Sequence, residues 1–393
     1  MTYPARLLPT SPQPTPGTPY YNAEHAAFRQ MLRRWVSTEI EPYVNDWDEA
    51  LEFPRELYRK AASIGLLQLG FPEAYGGVEA DIFHSIIAFQ ELARAGSGGV
   101  LTGLLSHTIS APPIVEGGSE ELKARVLPGI LSGERIAALA VTEPGGGSDV
   151  ASIATTARRD GEHYVVNGTK TFITSGIRAD CITLAVRTGG AGRDGISLLL
   201  VETEYSSVAR TPLSKTGWWA SDTATLYFDD TLVPVGNLLG SENGGFKLAM
   251  HNFNSERLSM AAACIAFSQV CLDETVAYAR DRRTFGKPLL GHQAIRHKLV
   301  DMAMRINAAQ AMLENLGWRI AQGEDPVAEI CMLKNLATLT MEFCAREATQ
   351  TFGGAGYLRG CKVERIAREV RVNAIGGGPE EIMRDLAARQ MGW

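Results

Sequence analysis

The sequence predicts a mostly helical protein with a β domain in the middle of the chain. Apolar residues recur at helical spacing from about residue 22, as in Phe28, Met31, Leu32 and Trp35. Further along, short β-rich runs alternate with turns, and long amphipathic segments then return. The predicted divisions are a loose arm (1–21), an N-terminal helical domain (22–134), an antiparallel, barrel-like middle domain (135–242) and a C-terminal four-helix bundle (243–393).

Local signals place the elements within these divisions. Pro54 and Asp81 occupy positions typical of helix starts, where a proline loses no hydrogen bond and an aspartate accepts from free backbone N–H groups. Asp160-Gly161 predicts a hairpin turn. The predicted strands cover 137–142, 163–166, 181–186, 196–201 and 224–228. The predicted longer helices cover 23–44, 82–95, 246–283, 292–321 and 326–352, and two shorter helices follow.

The composition argues against several classes of function. The chain of 393 residues has a formal net charge of −6, so it lacks the basic surplus of nucleic-acid-binding proteins. No run approaches the roughly 20 apolar residues that cross a bilayer, and the first residues contain no apolar signal core. The six cysteines include no C-x-x-C pair. We therefore expect no metal site and no membrane contact, with buried free thiols in a reducing cytoplasm.

Two stretches of the middle division combine glycines with hydroxyl side chains. The first is Thr142-Glu143-Pro144-Gly145-Gly146-Gly147-Ser148-Asp149, whose glycines would let a flat ring or a phosphate approach the backbone closely. The second is 167–176, in which Phe172 lies among threonines. Taken alone, the first is equally well a tight turn and the second a hairpin with a core phenylalanine.

The predicted bundle carries two further stretches. Arg280-Asp281-Arg282-Arg283-Thr284-Phe285-Gly286-Lys287 ends the first long helix, and His292-Gln293 follows it. Basic residues and a glycine stop are ordinary at a helix C-terminus, although an arginine fork also suits a pyrophosphate. Gln350-Thr351-Phe352-Gly353-Gly354-Ala355-Gly356-Tyr357 ends the third long helix, where a glycine cluster by itself is no more than a cap.

In this order, these stretches resemble the motifs of the acyl-CoA dehydrogenase family over nearly the whole chain from about residue 22. The resemblance implies an FAD enzyme that converts an acyl-CoA to the trans-2-enoyl-CoA, passes electrons to electron-transferring flavoprotein and forms a homotetramer. It assigns to FAD the residues Thr142, Ser148, Phe172, Ile173, Thr174, Arg282, Thr284, Phe285, Gln293, Gln350, Gly353, Gly354 and Glu381. It assigns to the substrate Ser148, Asn254, Arg257, Gly376, Gly377 and Gly378. The loop after residue 350 would contact the FAD of a neighbouring subunit.

The sequence departs from the family pattern where the catalytic base is usual. Most members carry Tyr-Glu-Gly-Thr near the C-terminus, and here Gly376, Gly377 and Pro379 replace its Tyr, Glu and Thr. Gly377 has no carboxylate but keeps an N–H for the thioester oxygen. The isovaleryl and long-chain branch carries its base in a Glu-Arg-Leu run, which Glu256-Arg257-Leu258 matches. We therefore expect Glu256 to be the base.

Structural interpretations of the same residues stay open. Asn254 or Ser255 would cap a helix that places Glu256 in its first turn, or Glu256 would pair with Arg257. Glu380 and Glu381 are the alternative bases. The Trp218-Trp219 pair either lines the site or supports the fold. Gly376 lacks the usual bulky ring, as in the isovaleryl enzyme, and this predicts a preference for branched or bulky acyl groups.

Two other functions are compatible with the same fold, because family membership argues fold more firmly than reaction. A degenerate subunit would bind flavin and scaffold an active partner, and its flavin would not bleach with acyl-CoA. A flavin oxidase or monooxygenase would consume oxygen rapidly. The residues alone do not specify the length of the acyl chain, the electron acceptor or the pathway.

Overall fold

The computed structural model describes residues 19–393, except for the side chains of His251 and Asn252. Helices come first, as predicted: α1 (Ala23–Glu39), α2 (Val44–Ala50), α3 (Glu56–Ser63), α4 (Ile82–Ala93), α5 (Gly98–Leu104), α6 (His107–Ser110), α7 (Pro112–Gly117) and α8 (Glu120–Leu131). The helix predicted over 23–44 is two helices, because the backbone leaves the helical conformation at Ile40. Helix α3 begins shortly after Pro54, whose carbonyl accepts from Leu57 N–H.

Asp81 caps α4 as predicted, and its carboxylate also organises two histidines. Asp81 Oδ1 accepts from the N–H groups of Phe83 and His84. The side chains of His25, Asp81 and His84 have the spacing of a metal site. However, Asn22 N–H donates to His25 Nδ1 at 3.1 Å, so His25 Nε2 carries a proton and donates to Asp81. The cluster therefore hydrogen-bonds the backbone N–H groups at the starts of two helices, rather than directing free lone pairs at a metal ion.

The middle of the chain is an eight-stranded, mostly antiparallel sheet. Its strands are β1 (Ala137–Ala140), β2 (Thr156–Asp160), β3 (His163–Thr174), β4 (Cys181–Arg187), β5 (Ile196–Glu202), β6 (Ala209–Pro212), β7 (Thr223–Pro234) and β8 (Leu238–Leu239). The order is β6-β7-β3-β2-β4-β5-β8, and β1 pairs with β4 in parallel. The predicted hairpin at Asp160-Gly161 is confirmed by the pairing of Asp160 with His163. The β3–β7 register shifts between Lys170 and Ile173, which frees the intervening residues from regular pairing.

The last part of the chain is a bundle with a small hairpin. It comprises α9 (Gly245–Asp281), β9 (Arg283–Thr284), β10 (Lys287–Pro288), α10 (Gln293–Ala321), α11 (Val327–Phe352), α12 (Lys362–Ile375) and α13 (Glu380–Gln390). Helix α9 is central, since it packs against α4, α10, α11 and α12. Buried residues of α1, α4 and the bundle share one apolar core, so the first and last helical parts are a single packed body.

By length and composition alone, one described helix, α9, could cross a membrane. Of its most apolar stretch, 61% is buried inside the protein, as in the core helix of a bundle. All six cysteines are free thiols; Cys361 is partly exposed and the others are buried.

Candidate active site

Glu256 lies well inside α9, whose first residue is Gly245. The interpretation of Asn254 or Ser255 as a helix cap is therefore wrong, because the helix begins far upstream. The interpretation as a partner of Arg257 also fails. Arg257 donates instead through Nη1 to Asn254 Oδ1 at 3.1 Å and through Nε to Gly377 O at 3.2 Å. Glu256 is thus neither in the first turn of a helix nor the ion-pair partner of Arg257, the two structural roles that the local sequence suggested.

The glycine run Gly376-Gly377-Gly378 connects α12 to α13 and lies beside Glu256. Gly377 and Gly378 have φ angles of 65° and 105°, which favour glycine. A Cβ added at Gly377 would lie 3.7 Å from Glu256 Oε1 and 3.2 Å from Met260 Cε. The carboxylate from α9 therefore occupies space next to the point where a side chain at position 377 would begin.

The environment of Glu256 suits a proton acceptor. Its Oε2 atom is buried and has no hydrogen-bond partner among the described residues. Burial raises the pKa of the Glu256 carboxyl from 4.5 to about 7, while the positive charges of Arg257 and Lys334 act in the opposite direction. A carboxyl that titrates near neutral pH, with one oxygen free to accept, has the properties expected of a general base.

The same loop offers donors for an oxyanion. Gly376 N–H is used within the structure, since it donates to Val372 O at 2.7 Å. The N–H groups of Gly377 and Gly378 donate to no acceptor in the described part of the chain. Lys334 donates to Gly378 O at 2.8 Å, and Arg257 holds the carbonyl of Gly377. Two free N–H groups are thus held on a fixed loop near a carboxylate.

The alternative bases are placed differently. Glu380 pairs with Arg384 at 2.9 Å, and Glu381 is exposed in the first turn of α13. Among the described residues, neither of them has a buried carboxylate oxygen without a hydrogen-bond partner, as Glu256 does, so the geometry favours Glu256 over both.

The loop at 142–149 is fastened to β3 by a buried ion pair. Lys170 is fully buried, and its Nζ donates to Glu143 Oε1 at 2.8 Å and to Val141 O at 2.9 Å. Glu143 also accepts from the N–H groups of Ala154 and Thr155. The N–H of Thr171 donates to Thr142 O at 2.9 Å. These contacts place Thr142 next to β3, while Ser148 stays exposed on the loop.

The register shift in β3 presents an aromatic side chain. Phe172 has a φ of 61° and is 69% exposed, whereas Ile173 next to it is buried. A left-handed backbone at a phenylalanine is costly and points to a functional constraint. Thr174 is half-buried, and added Cβ atoms at Gly145 and Gly146 would meet nothing within 4 Å. An exposed ring, hydroxyls and accessible glycine backbone fit a flat, hydrogen-bonding cofactor such as a flavin.

The remaining predicted cofactor residues, apart from Glu381 at the start of α13, lie at one end of the bundle. Arg282 ends α9, and the β9–β10 hairpin turns at Phe285-Gly286, so Gly286 is a hairpin residue and not the predicted helix stop. Thr284 Oγ1 lies 3.2 Å from His292 Nε2, beside Gln293 at the start of α10.

The end of α11 lies against the end of α9. The ring of Tyr278 stacks on Phe352 with centroids 4.3 Å apart, and the Tyr278 hydroxyl donates to Phe352 O at 3.3 Å. This contact brings Gln350, Gly353 and Gly354 to the same end of the bundle as Arg282. Within residues 19–393, no hydrogen bond, ion pair or ring contact joins that end to the 142–174 surface.

The Trp218-Trp219 pair supports the fold. Trp218 has a φ of 55°, and its backbone N–H donates to Glu369 Oε1 at 3.1 Å. Glu369 Oε2 accepts from Gly98 N–H at 2.7 Å, so one buried carboxylate on α12 joins the sheet domain to α5. The guanidinium groups of Arg359 and Arg368 stack on the Trp219 ring at 4.4 and 3.7 Å.

Sequence reasoning missed Lys334, Met260 and Glu369. Lys334 carried a signal, because it is a lysine among apolar positions of a helix, near Ile330 and Leu333. Met260 and Glu369 carried none, since each lies at an ordinary position of a helical pattern.

Comparisons with known proteins agree with this architecture. The family models "Acyl-CoA dehydrogenase, N-terminal domain", "middle domain" and "C-terminal domain" match residues 22–134, 138–231 and 243–392. The acyl-CoA dehydrogenase AFT10-1 of Alternaria alternata is 37% identical, over 94% of this chain and 92% of its own length. An acyl-CoA dehydrogenase of Bacillus subtilis is 36% identical, over 94% of this chain and 98% of its own.

Solved structures give the same result. A putative acyl-CoA dehydrogenase from Mycobacterium smegmatis has a TM-score of 0.93 and 44% identity, covering 95% of this chain and 98% of its own. A glutaryl-CoA dehydrogenase from the same organism, in complex with FADH2, has a TM-score of 0.89 and 27% identity, covering 95% and 96%. The fold and site therefore define a flavin-dependent oxidoreductase. More specifically, the chain belongs to the acyl-CoA dehydrogenase family.

Proposed function

We propose that this protein is an FAD-dependent acyl-CoA dehydrogenase that forms the trans-2-enoyl-CoA with Glu256 as the base. The observation that carries the proposal is the Glu256 carboxylate, 3.7 Å from the point where a side chain at Gly377 would begin, with a buried, unpartnered Oε2. The acyl-CoA dehydrogenase relatives described above support the substrate class.

The residues of this chain would divide the reaction into three tasks. Ionised Glu256 removes the proton from Cα of the thioester. The N–H of Gly377 donates to the thioester oxygen, where negative charge develops as the proton leaves. Asn254, Arg257 and Ser148 line the thioester and its CoA arm. Bound FAD supplies the acceptor for the hydride that leaves Cβ.

The FAD would be held by two sets of residues. Thr142, Phe172, Ile173 and Thr174 suit the ring system, for the exposure and hydroxyl chemistry described above. The second set, at the bundle end, suits the phosphates and adenosine: Arg282, Thr284, Phe285, Gln293, Gln350, Gly353 and Gly354. Glu381, exposed on α13, completes the predicted contacts. The family relative with FADH2 supports the choice of cofactor.

We further propose that the two sets come from different subunits of a homotetramer. The bundle end exposes large apolar side chains, since Phe285 is 96% exposed and Tyr357 is 88% exposed. Exposed aromatic residues of this size are typical of surfaces that a partner covers. Subunit complementation tests the idea: Glu256→Gln and Arg282→Ala homotetramers should each lose activity, and mixed tetramers should regain part of it. No recovery on mixing would rule out a site shared between chains.

The sequence expectation of a branched or bulky acyl group gains support from the glycine run. A Cβ added at Gly376 would lie 3.3 Å from Val372 O, and its next neighbour would be Met260 Cε at 3.9 Å. Met260 is flexible, so space beside the reacting carbons is limited mainly by a movable side chain. Branched acyl-CoA thioesters should therefore give a higher kcat/KM than straight-chain thioesters of equal length. The reverse order would contradict the assignment.

One experiment separates the main function from its alternatives. Purified holoenzyme is mixed anaerobically with a panel of acyl-CoA thioesters, and flavin absorbance is followed. A dehydrogenase bleaches its flavin, Glu256→Gln does not, and a non-catalytic scaffold would leave both spectra unchanged. Reoxidation by electron-transferring flavoprotein, faster than by oxygen, supports that protein as the acceptor; rapid oxygen consumption would instead show an oxidase. The free thiols support a reducing location, and we propose the cytoplasm.

A further inference from the structure

A lysine lies in the core of the bundle and has no ion-pair partner within the part of the chain that the structure describes. Lys334 on α11 has no exposed surface. Its Nζ donates to two backbone carbonyls, Gly378 O at 2.8 Å and Ala374 O at 3.4 Å. No carboxylate among the described residues approaches it within ion-pair distance. A buried charge normally costs several kcal/mol unless it is paired, so the position calls for a reason.

The two carbonyls flank the glycine run, which carries the oxyanion donor of the proposed reaction. Ala374 is in the last turn of α12 and Gly378 ends the glycine run, so Lys334 holds both sides of Gly376-Gly377. A cation at a helix C-terminus also complements the negative end of the helix dipole. Arg257 holds the carbonyl between them, at Gly377. Because residues 376–378 are all glycines, the loop has no side chains of its own to fix the positive φ angles of Gly377 and Gly378.

The same ammonium and the carboxylate of Glu256 both lie against the glycine run: Lys334 Nζ is 2.8 Å from Gly378 O, and Glu256 Oε1 is 3.7 Å from a Cβ added at Gly377. The charged and titratable groups around it are Cys264 and Glu256 on α9, Arg257 on the same helix, and Glu380 on α13. Glu256 in turn faces Arg257 and Lys334. Burial favours the neutral form of Glu256, whereas these two cations favour the ionised form that a base requires.

We propose that Lys334 is a positioning residue of the reaction, which fixes the glycine run through its carbonyls and keeps Glu256 ionised through its charge. The inference rests on the proposed function, since it assigns Lys334 to the same site. Lys334 itself would contact neither substrate nor cofactor; it acts through Glu256 and through the Gly377 backbone.

Two substitutions separate the charge from the hydrogen bonds. Lys334→Gln keeps a donor for Gly378 O and removes the charge, whereas Lys334→Met removes both. Lys362→Met is the control, because Lys362 also donates to a backbone carbonyl (Arg94 O, 2.9 Å) but, unlike Lys334, pairs with a glutamate (Glu41, 2.7 Å) and lies at the far end of α12. The readouts are flavin content, KM, kcat and the pH profile of kcat/KM, which reports groups of the free enzyme.

Removing the charge should move the acid limb of the kcat/KM profile to higher pH by about one pH unit in both Lys334 variants. At pH values below the limb, activity should fall about tenfold relative to wild type, and the loss should shrink as the pH rises. Lys334→Met should also raise KM, because the loop loses its anchor. Lys362→Met should keep the wild-type midpoint even if it lowers stability.

The inference is overturned if Lys334→Gln binds flavin, turns over and keeps the wild-type midpoint. If either variant is too unstable for kinetics, a double-mutant cycle of Lys334→Gln with Glu256→Gln in urea unfolding decides. Coupling at pH 8 that vanishes at pH 5 supports the charge contact, and equal coupling at both values contradicts it; pH 8 is chosen because burial also lowers the pKa of Lys334. If wild-type flavin does not bleach with any acyl-CoA, the proposed function has failed instead.

Discussion

Replacing Glu256 by glutamine should inactivate the enzyme and stabilise it at alkaline pH. Burial raises the pKa of the Glu256 carboxyl from 4.5 to about 7 in the folded protein. At about 1.4 kcal/mol per unit of pKa, this difference corresponds to at most about 3 kcal/mol. The native state binds the proton more tightly than the unfolded chain, so this stability is fully present below pH 4.5. It is lost as the pH rises through about 7.

Glutamine has the same shape but does not ionise, so the variant escapes the cost of a desolvated carboxylate. The free energy of unfolding of Glu256→Gln, relative to wild type, should therefore rise between pH 5 and pH 8 by roughly 1–3 kcal/mol. Turnover should fall by about 10²- to 10⁴-fold, which is the usual contribution of a general base.

The assay is urea unfolding of the apoprotein followed by circular dichroism at several pH values, together with turnover using an artificial electron acceptor. Glu324→Gln is the control, because Glu324 is exposed and pairs with Arg319 on the surface. It should change neither the pH dependence nor the rate. A relative stability of Glu256→Gln that is the same at pH 5 and pH 8 would refute the burial argument, and near-normal turnover would refute the assignment of the base.

Three further predictions follow from the geometry. Adding Gly377→Glu to the Glu256→Gln variant should restore little turnover, because position 377 has a φ of 65° and a Cβ there would lie 3.2 Å from Met260 Cε. Adding Met260→Ala as a third substitution should increase the recovery of turnover; full recovery in the double variant would show that the loop is not crowded. Lys170→Met should lower the free energy of unfolding, measured with urea, by about 3–5 kcal/mol, because it leaves buried Glu143 without its cation. The control Arg158→Met removes an exposed ion pair and should lower it by less than about 1 kcal/mol; equal costs would contradict the burial argument. Gly98→Ala should lower the free energy of unfolding by about 1–3 kcal/mol, because the added Cβ would overlap Trp218 Nε1. Gly190→Ala, where the added Cβ meets open space, should unfold like wild type in the same assay; a Gly98→Ala protein as stable as wild type would argue against this packing.

The order of helices, sheet and helices could be predicted from the sequence because hydrophobic periodicity is a local property. Asp81 could be identified as a cap, and Asp160-Gly161 as a hairpin, since each motif satisfies backbone groups within a few residues. The same local reasoning was wrong at Asn254-Ser255, which looks like a helix start. Helix α9 continues through it because packing against four other helices outweighs the capping preference of two residues.

The candidate site was partly predictable. A missing carboxylate at Gly377 and a matching run at Glu256 could be read from the residues, but their proximity could not, because α9 and the α12–α13 loop are far apart in sequence. Lys334 and Met260 belong to the same place only through the packing of α9, α11 and α12.

The sequence by itself determined which residue types are present: a base absent from one loop, a carboxylate on another helix, glycines that need positive φ, and the family motifs for a flavin. The tertiary structure decided whether that carboxylate reaches the glycine run, how deeply it is buried and which cations face it. The physical reason is that desolvation and charge act through space, over a few ångströms, between residues whose separation along the chain carries no information about their distance.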